Sequence, residues 1–294
     1  MKHTINNLPV KNIRDLVKDS IYSYSKNNAN YLINIRSLIY LTFCLTTFIL
    51  GHYFLINSDL KISKSIYLVI LLGYSYYQFQ FILHETSHKT MFTNTKVNEF
   101  VGNLIGVLAG YDFKTYRVNH MKHHKFLGTD QDPEFGNFIH EENESKSKIF
   151  LLLKSLFFID FLLLLKNLLL NNQKKGEKSF NAIYLSIPLY LFFMIIMYKN
   201  DISGLIYHVF ILLLSVGSIT FFLNRYRGLS EHPMGKTAEK SMYTKTNKNI
   251  LFQFLFANFN FNYHIEHHIF PEISSYYYPS INKILDEKNI LPKL

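Results

Sequence analysis

Tryptophan is absent from this sequence and cysteine occurs once. Without Trp, an aromatic belt at a membrane surface has to be built from the 21 Tyr. The lone Cys44 lies in an apolar run, which excludes an intramolecular disulfide framework and a thiolate-held metal cluster. Any metal must therefore be held by nitrogen and oxygen. The first thirty residues hold no apolar run resembling a signal-peptide core, so membrane insertion is expected to begin with a retained helix. Glycine-rich phosphate loops, tandem repeats and low-complexity linkers are missing too, so residues 1–294 read as a single unit. The net charge of +10 is spread among apolar segments and gathers in no binding motif. Attraction to anionic membrane lipids accounts for it, and no nucleic acid partner is expected.

What the chain has is apolar length: 48% of it is hydrophobic and 27 residues are Phe. Four uncharged segments, residues 37–57, 66–83, 180–198 and 202–223, approach the roughly 20 residues of a membrane crossing. The expected fold is therefore all-α and integral to a membrane, with four transmembrane helices in two hairpins under a helical cap. Residues 149–170 are long enough to cross but carry Lys154, Asp160 and Lys166, which one helix would point in three directions. An interfacial helix is expected there, because a charge at the bilayer centre costs at least ~2.5 kcal/mol. Four crossings put the N-terminal segment 1–35, the stretch 84–148 and the tail 224–294 on one face. Lys and Arg crowd that face, whereas the opposite loops hold only Lys61, Lys64 and Lys199, so it is expected to be cytoplasmic.

Of 13 histidines, eight fall into three tight groups: His84 and His88; His120, His123 and His124; His264, His267 and His268. On a helix, positions i, i+3 and i+4 share a face, so each HxxHH group is expected to aim its imidazoles at a common point. All three groups border predicted spans on the same side. Imidazole suits iron, zinc, copper and nickel alike, but eight converging rings exceed the three or four ligands of one zinc site, so two metals are the economical reading. His84-Glu85-Thr86-Ser87-His88 also satisfies the HExxH pattern of zinc peptidases, in which the two HxxHH groups would have no role. Glu85, Asp130, Asp132, Glu231 and Glu266 stand close enough in sequence to orient ligand rings through hydrogen bonds. A histidine-lined transport path would need ligands across the bilayer, and the groups only border the spans. His3, His52, His140 and His208 are left out of the site, although His208, inside a span, calls for a polar partner.

Three segments together resemble the membrane fatty acid desaturases: His84-Glu-Thr-Ser-His88, Arg117-Val-Asn-His120-Met-Lys-His123-His124, and Asn262-Tyr-His264-Ile-Glu-His267-His268-Ile-Phe-Pro271. The order of the boxes, their placement after each hairpin, and the Asp-Pro of Gly128-Thr-Asp-Gln-Asp-Pro133 carry the resemblance over about residues 67–279. It implies two iron ions, dioxygen as co-substrate, a long-chain acyl lipid substrate and insertion of a C=C bond. It also implies His232, in Arg227-Gly-Leu-Ser-Glu231-His232-Pro233, as a ninth ligand. Some relatives place an asparagine four residues before that histidine, where this chain has Gly228. The HPGG pattern of a fused haem domain is lacking, so a separate electron donor, a ferredoxin or small cytochrome, is implied. Carotenoid hydroxylases and ketolases share the three-box layout and form the alternative.

Overall fold

The computed structural model describes residues 10–27, 30–57, 62–127, 129, 131–134, 144–170, 190–192, 194–198, 201–232, 244–288 and 290. Among them there is no β-strand beyond one isolated bridge, Thr246 to Tyr263. The helices are α1 (Val10–Asn27), α2 (Asn30–Ile56), α3 (Ile62–Ser87), α4 (Thr95–Ala109), α5 (Phe113–Phe126), α6 (Glu144–Leu156), α7 (Ile159–Leu170), α8 (Ile202–Glu231), α9 (Ile250–Phe256), α10 (His264–Ile269) and α11 (Tyr278–Glu287).

Among the described residues three helices are long and apolar enough to cross a membrane: Asn30–Ile56, Lys64–Ser87 and Ile202–Glu231. They contain the first, second and fourth expected spans, each extended at the end nearest the histidines. Consequently Arg36 and His84 lie on these helices and not beyond them. Most of the third expected span, 180–198, lies outside the described residues. What is described of it includes Tyr190 and Tyr198, whose hydroxyls sit 2.8 and 2.9 Å from the two ring nitrogens of buried His208. The intramembrane histidine thus has the partners it needs.

α3 is the axis of the bundle: 61% of its apolar 18-residue stretch is buried, against 17% in α2 and 33% in α8. It packs on α2, α4, α5 and α8. Its contact with α8 is close because of Gly73: a Cβ there would fall 2.5 Å from Ile219 Cβ and 2.7 Å from the Ser215 carbonyl. At this point α8 loosens into a π-helical turn, Ser215–Thr220, and the Thr220 hydroxyl donates to the Gly73 carbonyl at 2.8 Å. A π-turn adds a residue to the coil and so re-aims everything after it. Here that includes Glu231 and His232 at the helix end.

The 149–170 stretch differs from the single helix expected. It breaks at Phe157 and Phe158, the latter with φ +70°, into α6 and α7. The break reconciles charges that a continuous helix would splay apart: Asp160 meets Lys154 at 3.4 Å, Arg225 of α8 at 3.0 Å and the Ser155 hydroxyl at 2.6 Å. The Phe158 ring lies so close over Gly217 that a Cβ on the glycine would sit 2.0 Å from it.

Local signals place the cap. Asn94 caps α4 by accepting from Lys96 N–H, Gly110 ends it in the left-handed region at φ +74°, and Asp112 restarts the chain as α5 by accepting from Thr115 N–H at 2.9 Å. α1 lays the stripe Ile13, Val17 and Ile21 against Ile265, Ile269 and Phe270 of the third box region. Asn34 and Ser37 of α2 bond to Thr93 and the Met91 carbonyl just beyond α3, so the start of α2 and the end of α3 share one end of the bundle.

Overpacking typically costs 1–3 kcal/mol. Gly217→Ala is accordingly expected to lower stability by about 1–3 kcal/mol, read as unfolding temperature in detergent. Adding Phe158→Ala should produce a smaller further loss than it does alone, because it removes the clashing ring.

Candidate metal centre

Box one spans the last turn of α3 and His88 just beyond it, box two the second half of α5, and box three nearly all of α10. His232 follows α8 directly as its C-cap. These four elements end at one place, and all nine rings meet there in two adjoining groups.

The first group is His84, His88, His120, His124 and His267; the second combines His123, His232 and His268 with His264, which shares His232 and Glu231. In the first, His120 Nε2 stands 2.8 Å from His88 Nε2 and 3.2 Å from His124 Nε2, which is 2.9 Å from His267 Nε2. In the second, His264 Nε2 stands 2.9 Å from His232 Nε2 and 3.2 Å from His268 Nε2. The groups touch where His124 and His268 ring centroids are 4.3 Å apart.

Neither HxxHH box aims at one point, contrary to the expectation from helical periodicity. His120 and His124, spaced i and i+4, enter the first group, while His123 turns to the second. His264 and His268 enter the second, while His267 turns to the first. Each box therefore supplies a pair to one group and a single ring to the other. The 3.6-residue period separates i+3 from i+4 by about 100°, enough to direct neighbouring rings to points a few ångströms apart.

The arrangement makes poor sense as hydrogen bonding alone. A neutral imidazole has one donor and one acceptor, yet His120 Nε2 faces two other ring nitrogens, and among the described residues neither nitrogen of buried His84 makes a hydrogen bond. Burial, followed by the repulsion of neighbouring rings, drives the pKa of His88, His124, His264, His267 and His268 well below the ordinary histidine value. Burial lowers that of His120 as well, against the pull of Glu134. Neutral rings with converging lone pairs fit metal cations.

The surroundings orient the rings. His123 Nδ1 donates to both oxygens of buried Asp132 at 3.0 Å, so its Nε2 is left for the second group. Burial disfavours its charged form, but Asp132 and Glu134 outweigh that and raise its pKa. His267 Nδ1 lies 2.9 Å from the Tyr278 hydroxyl. Of the other carboxylates singled out by position, Glu85 accepts from the Ser275 hydroxyl at 2.9 Å and lies 3.9 Å from His84 Nδ1. Glu231 pairs with Arg227 at 2.6 Å and lies 3.8 Å from His264 Nδ1. Glu266 turns away to Thr246 and Asn282, and Asp130 lies outside the described residues. Among the described residues a Cβ at Gly228 would meet no atom within 4 Å.

Sequence proximity missed two groups. Glu134, two residues beyond Asp132, lies 3.9 Å from His120 Nδ1. Burial opposes its charge, but His120, His123 and His232 hold its carboxyl down to about 2. Tyr278 is the other, and its only sequence signal was a tyrosine run ending at Pro279.

The fatty acid desaturase profile matches residues 64–293, a stretch that contains all nine histidines. The chain belongs to the fatty acid desaturase family. It is also 28% identical over 222 residues to the dihydrorhizobitoxine desaturase of Bradyrhizobium elkanii, an alignment covering 70% of this chain and 63% of that relative. The chain thus spans less than two thirds of that desaturase's length. The family match begins inside α3 and omits α1 and α2.

Each group is expected to hold its own ion. Purified protein should contain about two metal atoms per chain. His267→Ala and His123→Ala should each lose about one, measured by elemental analysis, because they belong to different groups. Asp132→Asn should weaken only the second ion, by about 10–100-fold in a chelator competition.

Proposed function

We propose that this protein uses dioxygen to insert a C=C bond into a long-chain acyl lipid at two iron ions held by His84, His88, His120, His124 and His267 on one side and His123, His232, His264 and His268 on the other. The observation that carries the reading is the division of nine buried or half-buried rings into two adjoining groups, within the family match and at one end of three membrane-length helices. Iron, when bound, supplies the oxidising power that no side chain has toward an unactivated methylene. Removing two hydrogens with O2 and releasing two waters consumes two further electrons and two protons. A separate donor, a ferredoxin or small cytochrome, would supply the electrons.

The chain's own contribution is placement and exclusion of water. Asp132 accepts from His123 Nδ1–H and so fixes that ring's tautomer with Nε2 toward the second group, while Tyr278 fixes the orientation of the His267 ring. Phe261 packs edge-on against His84 at 4.4 Å and against Phe81 at 4.7 Å, closing the apolar side of the first group. An acyl chain held against such a wall would present one methylene to the metals, and position would set which bond is oxidised.

In this reading the chain is one membrane unit, with N-terminus, boxes and tail on the cytoplasmic side and residues 149–170 at the interface. The distribution of Lys and Arg supports that sidedness. The Lys154–Asp160–Arg225 cluster supports the interfacial placement, since charges so assembled favour water nearby.

A fatty-acid profile of a heterologous host with and without the gene is the deciding test, and new unsaturated acyl chains are expected. His123→Ala and His267→Ala should each abolish them while membrane insertion persists; activity retained in either variant refutes the ligand assignment. A second reading, desaturation of a molecule other than a fatty acid, is favoured by the name of the Bradyrhizobium relative. An unchanged acyl profile from iron-loaded protein would support it.

A further inference from the structure

Arg36 sits on α2, one of the three membrane-length helices, half-buried with its Nε enclosed and its guanidinium among aromatic rings. It lies over Phe259 at 4.4 Å and Tyr276 at 5.4 Å. A guanidinium carries five N–H donors. Among the described residues Arg36 makes one hydrogen bond, from Nη2 to the Ser275 hydroxyl at 3.0 Å, and its buried Nε has no partner. Unpaired buried donors on a cation are costly and call for an acceptor.

The space beside it is shaped to bring one. A cavity of about 570 Å³ is lined by Arg36, Tyr40, Leu251, Phe254, Phe259 and neighbouring residues between α2 and α9. An adjoining groove of about 510 Å³ shares Arg36 and Tyr40 and continues along Leu32, Ile35, Ile39 and Phe43. The other polar groups of the cavity are mutually engaged: Gln253 donates to Asn260, and Asn258 donates to Tyr74 and Gln78. Arg36 is therefore the donor left over.

The wall opposite is held in a conformation that side chains resist. Phe259 and Asn260, neither a glycine, adopt φ +64° and +63° in succession. Such outliers persist where the surroundings require them, often at ligand clamps. Here the first places its ring beneath Arg36, and the second donates its amide to the Ser275 carbonyl at 2.9 Å.

We propose that this cavity binds a single-chain amphiphile with a carboxylate head, the carboxylate seated on Arg36 and the alkyl chain lying in the adjoining apolar groove. A carboxylate is favoured over a phosphate because Arg36 is, among the described residues, the one charged residue lining either space, and Ser275 links it to the carboxylate of Glu85, so the site matches one negative charge. The proposal concerns binding and is read without turnover, so a protein that binds the acid yet forms no double bond refutes only the preceding reading.

Fluorescent cis-parinaric acid and its methyl ester, titrated into the purified full chain in an uncharged detergent, test it. The wild type should bind the acid at least about tenfold more tightly than the ester. Arg36→Gln should remove that preference and leave ester binding unchanged, and Arg36→Lys should keep part of it. Leu251→Trp, at an exposed position of the cavity wall, should weaken acid and ester alike. Unfolding temperatures matching the wild type establish that each variant is folded. A preference that survives Arg36→Gln, an acid affinity untouched by Leu251→Trp, or displacement by dodecyl phosphate about tenfold more potent than by laurate would overturn the assignment.

Discussion

Much in this molecule answers to one constraint: nine imidazoles, six buried and three half-buried, are packed side by side in two adjoining groups. A buried nitrogen without a partner is unfavourable, and here the rings crowd one another at 2.8 to 3.2 Å between nitrogens. Such crowding is tolerable only where cations satisfy the lone pairs and where the scaffold prevents the rings from turning away. The scaffold does so by ending four helical elements at one spot and locking rings from behind, as Asp132 locks His123 and Tyr278 locks His267.

The rigidity of that spot comes from below it. α3 carries two ligand candidates on its last turn and is wedged between α2 and α8, so its end has little freedom. Gly73 lets α8 approach within backbone contact, and the π-turn opposite it sets the direction in which Glu231 and His232 emerge. On the far side of the same turn Gly217 receives Phe158, whose left-handed backbone lets α6 and α7 fold back and bring Lys154, Asp160 and Arg225 together. One irregular turn thus ties the charged elbow of the chain to the candidate centre.

Burial then decides the chemistry of the ring set. Outside the membrane-length helices, the pKa values of most of these histidines are pushed down first by desolvation and then by each other, which keeps the rings neutral and able to ligate. His123 is pushed the other way by its carboxylate neighbours despite its burial. Carboxylates stand behind both groups, Glu85 and Glu134 beside His84 and His120 of the first and Asp132 beside His123 of the second, while the first also faces the apolar wall of Phe261 and Phe81.

The linear order of residues determined which parts take part: helical apolar runs of membrane length, three histidine boxes, a histidine beyond the last run, and the absence of thiolates. Those are local properties, written in composition and spacing of three or four residues. The tertiary structure alone decided how the rings are shared out. Whether a ring at i+3 joins its i+4 neighbour depends on how one helix is rotated against another, and no spacing within a box encodes that rotation. Likewise Glu134 and Tyr278 reach their histidines, Glu266 turns to Thr246 instead, and Arg36 finds itself beside Phe259 through contacts between distant segments. The physical reason is the same throughout: periodicity fixes directions within an element, and only packing fixes where those directions meet.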